Sequence, residues 1–375
     1  MLKKYWKIII IAFFVIALTV AGYSIKKYFD AKNTPINQEP GTAINPTSTS
    51  TLISENGDKA VLKKISEQPV FDFFATGSST NEIIYVTPSG EVYQANEGND
   101  DQLSKQTFNA INSIAASPSR QKILAAFGDP NQPQWLIFDL IDKTWRPLSN
   151  TVKRAVWGNN DDEIIALNQQ NGSEDLIKLK TDQNPFAQEM LWRNFSFQDI
   201  NLIFVAPQTI IISEKPMFSH QSRAWEFNTK TSEINLVFGP VNGLLLSQTA
   251  DRSLVMKFDN TNYLSIISPT QTASYQTLPE KCENAAEGIY CFLPISWPEE
   301  NNWPDDYFQK RLYTEDQLFI FNNEGNKIFN LDENEKIDGL KPTVVNNSLY
   351  FLNRRDSSLY QLSSLNTAIT TPTAY

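Results

Sequence analysis

Beyond residue 58 the apolar residues fall in short runs, each closed by a polar turn, and no stretch has the three-to-four spacing of an amphipathic helix. The clearest unit is residues 111–127, INSIAASPSRQKILAAF. Ile111, Ile114, Ala115 and Ala116 read as one strand, Ser117-Pro118-Ser119-Arg120 as a turn, and Ile123 to Phe127 as a second strand. The same alternation predicts strands at 71–75 and 82–87, at 135–140, and at 152–157, 163–168 and 175–180. Further strands are predicted at 202–206, 209–213, 223–227 and 234–238, and at 242–247, 253–258 and 262–267. The last sets fall near 280–293, 317–321 and 327–331, and near 341–346, 348–352 and 358–362.

These sets start near residues 69, 111, 152, 202, 241, 279 and 339, giving spacings of 42, 41, 50, 39, 38 and 60. A period near 40–45 with several β-branched or aromatic strands per unit describes the four-stranded blades of a β-propeller. The fold class is therefore all-β, with seven blades counted over residues 59–363 and six or eight as the alternatives. The third strand of a unit often brings an aromatic up to a hairpin tip, as in WLIFDLIDKTW (135–145), AWEFNTKTSEI (224–234) and LFIFNNEGNKI (318–328). The strand, Ser-Pro turn, basic residue, strand unit at 111–127 resembles the repeat of TolB-like and WD-type bacterial propellers. That resemblance implies a membrane-anchored propeller and no particular activity, since the fold hosts enzymes, receptors and scaffolds. The last unit shows only three strands, whereas 59–66, KAVLKKIS, precedes the first. Pairing of Leu62–Ile65 with Leu359–Leu362 would complete the last blade and cover its edge.

The N-terminus has another character. Ile8 to Ile25 carry no charge and are flanked by Lys3, Lys4 and Lys7 before and Lys26 and Lys27 after, with Tyr5, Trp6, Tyr23 and Tyr28 at the ends. This pattern predicts a transmembrane anchor within residues 1–29; a cleaved signal peptide ending near Thr19-Val20-Ala21 is the alternative. Residues 30–58 are rich in Asn, Pro, Thr and Ser and read as a disordered linker, and 364–375 as a disordered tail. The short leading tail, the linker and the cysteines favour a body outside the cytoplasmic membrane.

Charge narrows the partners. The chain carries −10 in total, but residues 1–32 hold six lysines and one acid, leaving 26 basic against 41 acidic residues in the remainder. A body that acidic is a poor match for nucleic acid. The expected contacts are the membrane, through the N-terminal helix, and an envelope protein or glycan.

Chemistry-bearing residues are few. Cys282 and Cys291 are the only cysteines, nine positions apart across a predicted hairpin, and suit a structural disulfide or a pair of buried thiols. With His220 the sole histidine, a metal site lacks ligands, and no cofactor is implied. No nucleophile elbow, zinc-protease motif or phosphate loop is present, and so no catalytic residues are assigned. The acid pairs Asp100-Asp101, Asp161-Asp162 and Asp305-Asp306 sit in turn-like segments. The long sixth spacing contains PISWPEENNWPDDYFQKRLYTED (294–316). Its Trp297, Trp303, Asp305, Asp306, Tyr307 and Phe308 either contact a partner or fold back to cap the core. The sequence supports a non-enzymatic interaction scaffold or envelope-assembly module, with a carbohydrate-binding or carbohydrate-active propeller as the alternative.

Overall fold

Each strand pairs antiparallel with its chain neighbour, and after four strands the chain steps sideways and begins again. The computed structural model describes residues 62–363, apart from 78–81, 97–98, 171, 184, 262, 269, 299–300, 323–324, 330 and 332–335. The anchor, the linker and the C-terminal tail therefore lie outside the described residues. Among those described, no helix is long and apolar enough to cross a membrane.

Strand β1 (Leu62–Lys64) precedes the first blade, which is β2 (Asp72–Ala75), β3 (Ile83–Val86), β4 (Val92–Ala95) and β5 (Asp101–Ser104). Blade 2 is β6 (Ile111–Ala116), β7 (Lys122–Phe127), β8 (Gln134–Asp139) and β9 (Thr144–Pro147). Blade 3 is β10 (Val152–Trp157), β11 (Glu163–Gln170), β12 (Ser173–Lys180) and β13 (Ala187–Trp192). Blade 4 is β14 (Ile200–Ala206), β15 (Thr209–Glu214), β16 (Gln221–Asn228) and β17 (Ile234–Asn242). Blade 5 is β18 (Leu245–Gln248), β19 (Val255–Phe258), β20 (Leu264–Ser268) and β21 (Thr270–Tyr275). Blade 6 is β22 (Cys282–Ala285), β23 (Gly288–Pro294), β24 (Asp316–Asn322) and β25 (Gly325–Phe329), with a single helical turn, α1 (Asp305–Phe308), between β23 and β24. Blade 7 is β26 (Gly339–Val345), β27 (Ser348–Asn353) and β28 (Ser358–Leu362), with β1 as its outer strand.

The closure expected from the sequence is present. Leu62 pairs with Leu362, Lys63 with Gln361 and Lys64 with Tyr360, and the Ile65 amide donates to the Leu359 carbonyl at 2.8 Å. The core lies between blades, because one sheet cannot bury both faces alone. Leu124, Trp135 and Ile137 of blade 2 pack against Trp157, Ile164 and Ile177 of blade 3. Phe73 and Tyr85 of blade 1 pack against Leu352 and Leu359 of blade 7, so the first and last blades are joined by core as well as by backbone pairing.

Tight turns follow from the residues at their tips. In the Ser117–Arg120 turn the Arg120 amide donates to the Ser117 carbonyl at 2.8 Å, and the Lys122 amide donates to Ser117 Oγ at 3.0 Å. Blade 5 repeats this arrangement with Thr249-Ala250-Asp251-Arg252: Arg252 donates to the Thr249 carbonyl, and the Leu254 amide to Thr249 Oγ1. Asn346 and Asn347 take the left-handed backbone that the β26–β27 turn needs, with φ of 47° and 60°.

Candidate functional site

The innermost strands surround a channel with a cavity of about 700 Å³. Its charged lining is divided between two walls. Blades 2 to 5 contribute Arg120, Arg154, Lys215 and Arg252; blade 1 and the blade 6–7 side contribute Asp72, Glu280, Glu283 and Lys341. Trp135, Trp157 and Phe204 supply aromatic surface, and the buried Trp135 indole N–H has no acceptor.

On the acidic side Lys341 pairs with Asp72. Burial opposes the Lys341 charge, but Asp72, Glu280 and Glu283 outweigh it and raise its pKa. The lysine side chain keeps 42% of its surface accessible. Glu283 Oε1 accepts from the Ala250 amide at 2.7 Å, yet burial pushes its carboxyl up to about 8. Burial likewise raises Glu280, with Lys341 pulling the other way.

On the basic side the arginines meet carbonyls and no carboxylate. Arg252 Nη1 donates to the Gly158 carbonyl at 2.5 Å, and its guanidinium lies 5.7 Å from the Phe204 ring centre. Burial lowers the pKa of Arg252, with the field of Asp161 working the other way. Arg120 Nη1 reaches the Ala75 carbonyl at 3.4 Å. Arg154 donates to the Pro130, Lys153 and Ile200 carbonyls at 3.2, 3.0 and 3.4 Å. Arg120 and Arg252 also share a smaller cavity of about 240 Å³ with Asn159 and Asp251.

The blade 6 insertion lies against the fold. Trp303 and Tyr307 are each only 1% exposed and join Leu245, Phe258 and Leu278 in one cluster. Trp297 stacks on Trp303 with ring centres 4.0 Å apart. Asp305 accepts from the Phe218 amide at 3.0 Å, and Asp306 accepts from the Asn302 amide at 2.9 Å and pairs with Arg311. Phe308, at 39%, and Tyr313, at 36%, are the insertion aromatics left exposed.

Beneath the insertion lies a buried ionic network. Lys281 Nζ donates to Thr314 Oγ1 at 2.9 Å, Asp316 Oδ2 at 2.5 Å and Asp338 Oδ1 at 2.6 Å. Tyr307 donates its hydroxyl to Asp338 at 2.7 Å, and Arg354 Nη1 reaches Asp338 Oδ2 at 3.1 Å. Burial opposes the Asp338 charge, but Lys281, Tyr307 and Arg354 outweigh it and lower its pKa. Asp316 is pushed up by burial, only partly offset by Lys281, and its Oδ1 has no partner.

Cys282 and Cys291 face each other across β22 and β23 and form a disulfide, with Cα atoms 4.1 Å apart. His220 is exposed in a turn whose amide bonds the Met217 carbonyl. The acid pairs serve turns. Asp161 accepts from Ser117 Oγ and the Ser119 amide, both at 2.9 Å, and Asp162 pairs with Lys122. Asp100 takes the Tyr85 hydroxyl and, at 2.8 Å, the Glu67 amide. Among the described residues no group of His, Cys, Asp and Glu is arranged to hold a metal ion.

The outer rim is uneven. Strands β1, β5, β9, β13 and β25 each carry a charged residue, and β21 is mostly Thr, Ser and Gln. β17, INLVFGPVN, is uncharged and mainly apolar, with Leu236 54% exposed and Ile234 and Val237 also in solvent. The neighbouring loop exposes Met217 (48%) and Phe218 (41%), and is tied to the end of β17 by the Gly243 amide donating to the Met217 carbonyl at 2.9 Å.

No protein-family model matches the chain, and no curated protein matches it in sequence. Solved structures do match it. The β-propeller domain of Cps50 (Swd1) from Myceliophteria thermophila superposes with a TM-score of 0.50 at 11% identity, covering 81% of this chain and 100% of that one. A chain of the mitotic checkpoint complex gives 0.52 at 9% identity, covering 84% and 95%. What they share with this chain is the fold. TolB from Acinetobacter baumannii also matches, at a TM-score of 0.37 and 9% identity, covering 78% of this chain and 63% of that one. At such identities a propeller likeness brings no activity with it.

Proposed function

We propose that this protein is a non-enzymatic, membrane-anchored extracytoplasmic β-propeller that works as a protein-interaction scaffold or envelope-assembly module. The observation that carries this reading is the outer edge of blade 4. A long, uncharged, apolar edge strand is an aggregation hazard that propellers normally blunt with charge. Here Ile234, Leu236 and Val237 stay exposed, beside Met217 and Phe218. Such an edge suits a partner protein that adds a strand through its backbone and seats side chains on the apolar face. The anchor and outward placement draw support from the uncharged run Ile8 to Ile25 and from the disulfide, a bond at home in oxidising compartments.

The carbohydrate-active alternative would use the channel carboxyls. Asp72 is engaged by Lys341, and Glu283 Oε1 accepts the Ala250 and Asn284 amides.

The test is a photo-crosslinking residue placed at Leu236 of the full-length chain in its native membrane. A single discrete adduct, lost when Val237→Lys is added, is the expected result. Absence of any adduct at 236, with the protein folded and present at normal level, would remove blade 4 as the docking edge.

A further inference from the structure

The channel carries a charge that its surroundings do not explain. The chain is acidic overall, at −10, yet five cationic side chains and three acidic ones line the 700 Å³ cavity. Two of the cations are already matched, Lys341 by Asp72 and Lys215 by Asp199. Arg120, Arg154 and Arg252 have no carboxylate in contact and donate only to backbone carbonyls. A carbonyl satisfies one N–H but leaves the guanidinium charge in place, with further donors of its fork unused.

Two of these arginines are placed by the same device. Arg120 and Arg252 occupy the fourth position of equivalent turns in blades 2 and 5, with φ of 62° and 61°. Both side chains enter the channel mouth and line the smaller cavity together. The acids nearby are occupied. Asp251 accepts from Thr249 Oγ1, Ser253 Oγ and Asn284 Nδ2, and Asp161 from Ser117 and Ser119. Arg154 stands on β10 toward the opposite mouth, where the unpartnered Trp135 indole N–H lines the same cavity. Of the channel acids, Asp72 is engaged by Lys341, and burial pushes the Glu283 carboxyl up to about 8.

We propose that the channel binds a small multivalent oxyanion, a polycarboxylate or a phosphate-bearing molecule, at the mouth where Arg120 and Arg252 line one cavity. Guanidiniums with no carboxylate in contact can focus the field on an anion and meet its oxygens in bidentate geometry. The site goes beyond the scaffold reading and stands whether or not the blade 4 edge takes a partner.

The probes are citrate and pyrophosphate, titrated calorimetrically into the full-length chain in nonionic detergent, with chloride holding ionic strength constant. Saturable binding of at least one probe is expected, weakened at least about tenfold by Arg120→Gln with Arg252→Gln and far less by Arg154→Gln at the opposite mouth. Binding of citrate alone identifies a carboxylate site, and of pyrophosphate alone a phosphate site. Absence of saturable binding by both, or unchanged affinity in the Arg120→Gln, Arg252→Gln variant, overturns the proposal. Should that variant unfold, arginine modification by phenylglyoxal in the native protein decides. Protection of Arg120 and Arg252 by the probe, with the exposed Arg193 still modified, supports the site; equal modification with and without probe refutes it.

Discussion

Replacing Lys281 by methionine should be among the most damaging single changes in the chain. The ammonium is fully buried, as are Asp316 and Asp338, and it holds both carboxylates. Without it Asp338 keeps Arg354, Tyr307 and Thr314, whereas Asp316 keeps the Gly339 amide at 2.9 Å and Thr314 but no cation. The cost is therefore chiefly one stranded carboxylate, and removing a single partner from a buried pair costs about 3–5 kcal/mol. Adding Asp316→Asn should recover part of this loss, to a deficit under about 2 kcal/mol, because no unpaired charge remains. Equilibrium denaturation followed by tryptophan fluorescence would measure the wild type, both single variants and the double variant. The Lys281→Met deficit should also shrink on acidification: the raised Asp316 carboxyl takes up a proton in the fold before it does in the unfolded chain, which favours the fold as pH falls. A deficit below about 1 kcal/mol for Lys281→Met, or a double variant as unstable as the sum of both singles, would refute this account.

Further outcomes follow from other parts of the molecule. Glu283 has its pKa raised in the fold from 4.5 to about 8, so its stabilising effect is complete below about pH 4.5 and is lost as pH rises to about 8. The slope is at most about 1.4 kcal/mol per pH unit, and Glu283→Gln should flatten the alkaline decline of stability measured in the same way. Trp303→Ala empties a fully packed position and should cost about 3–5 kcal/mol, read as a lower denaturation midpoint. Cys282→Ala with Cys291→Ala should cost about 2–3 kcal/mol, and the native protein should show no free thiol until reduced. Ile141→Cys, at a 72% exposed position, should react with a membrane-impermeant maleimide in intact cells; labelling only after lysis would place the body on the cytoplasmic side.

The inner strands were readable in sequence because both of their faces are buried. Ile123–Phe127 and Ile164–Leu167 form unbroken apolar runs for that reason, and strand starts at 111 and 152 match the observed ones. Ring closure was readable as an apolar segment with no partner of its own. Outer strands were harder: DQLS (β5), TWRP (β9) and AQEMLW (β13) face solvent on one side and are too short or too polar to alternate clearly. The insertion's aromatics were visible, but not which of them turn inward, since a packing partner such as Phe258 lies far away in the chain. The ionic network left no local mark, because Asp316 and Asp338 lie 35 and 57 residues from Lys281. The channel arginines were hidden for a similar cause. Arg120 was conspicuous as a turn residue, but its common wall with Arg252 exists only once the ring has closed.

Closure by β1 also sets a timetable for biosynthesis. The Leu359 amide donates to Ser66 Oγ across a separation of 293 residues, so the first strand of the ring waits for the last. At 5–20 residues per second, translation leaves that strand unpaired for roughly 15 s to a minute. Throughout that interval the growing chain exposes the faces of blade 1 that blade 7 will cover, including Phe73 and Tyr85. The ring thus stays open until residues 358–362 have been made, and its uncovered apolar faces are surfaces that holdase chaperones can grip. Truncation even shortly before residue 358 would leave it permanently in that state, lacking both the last strand and the seam that strand makes with Leu62.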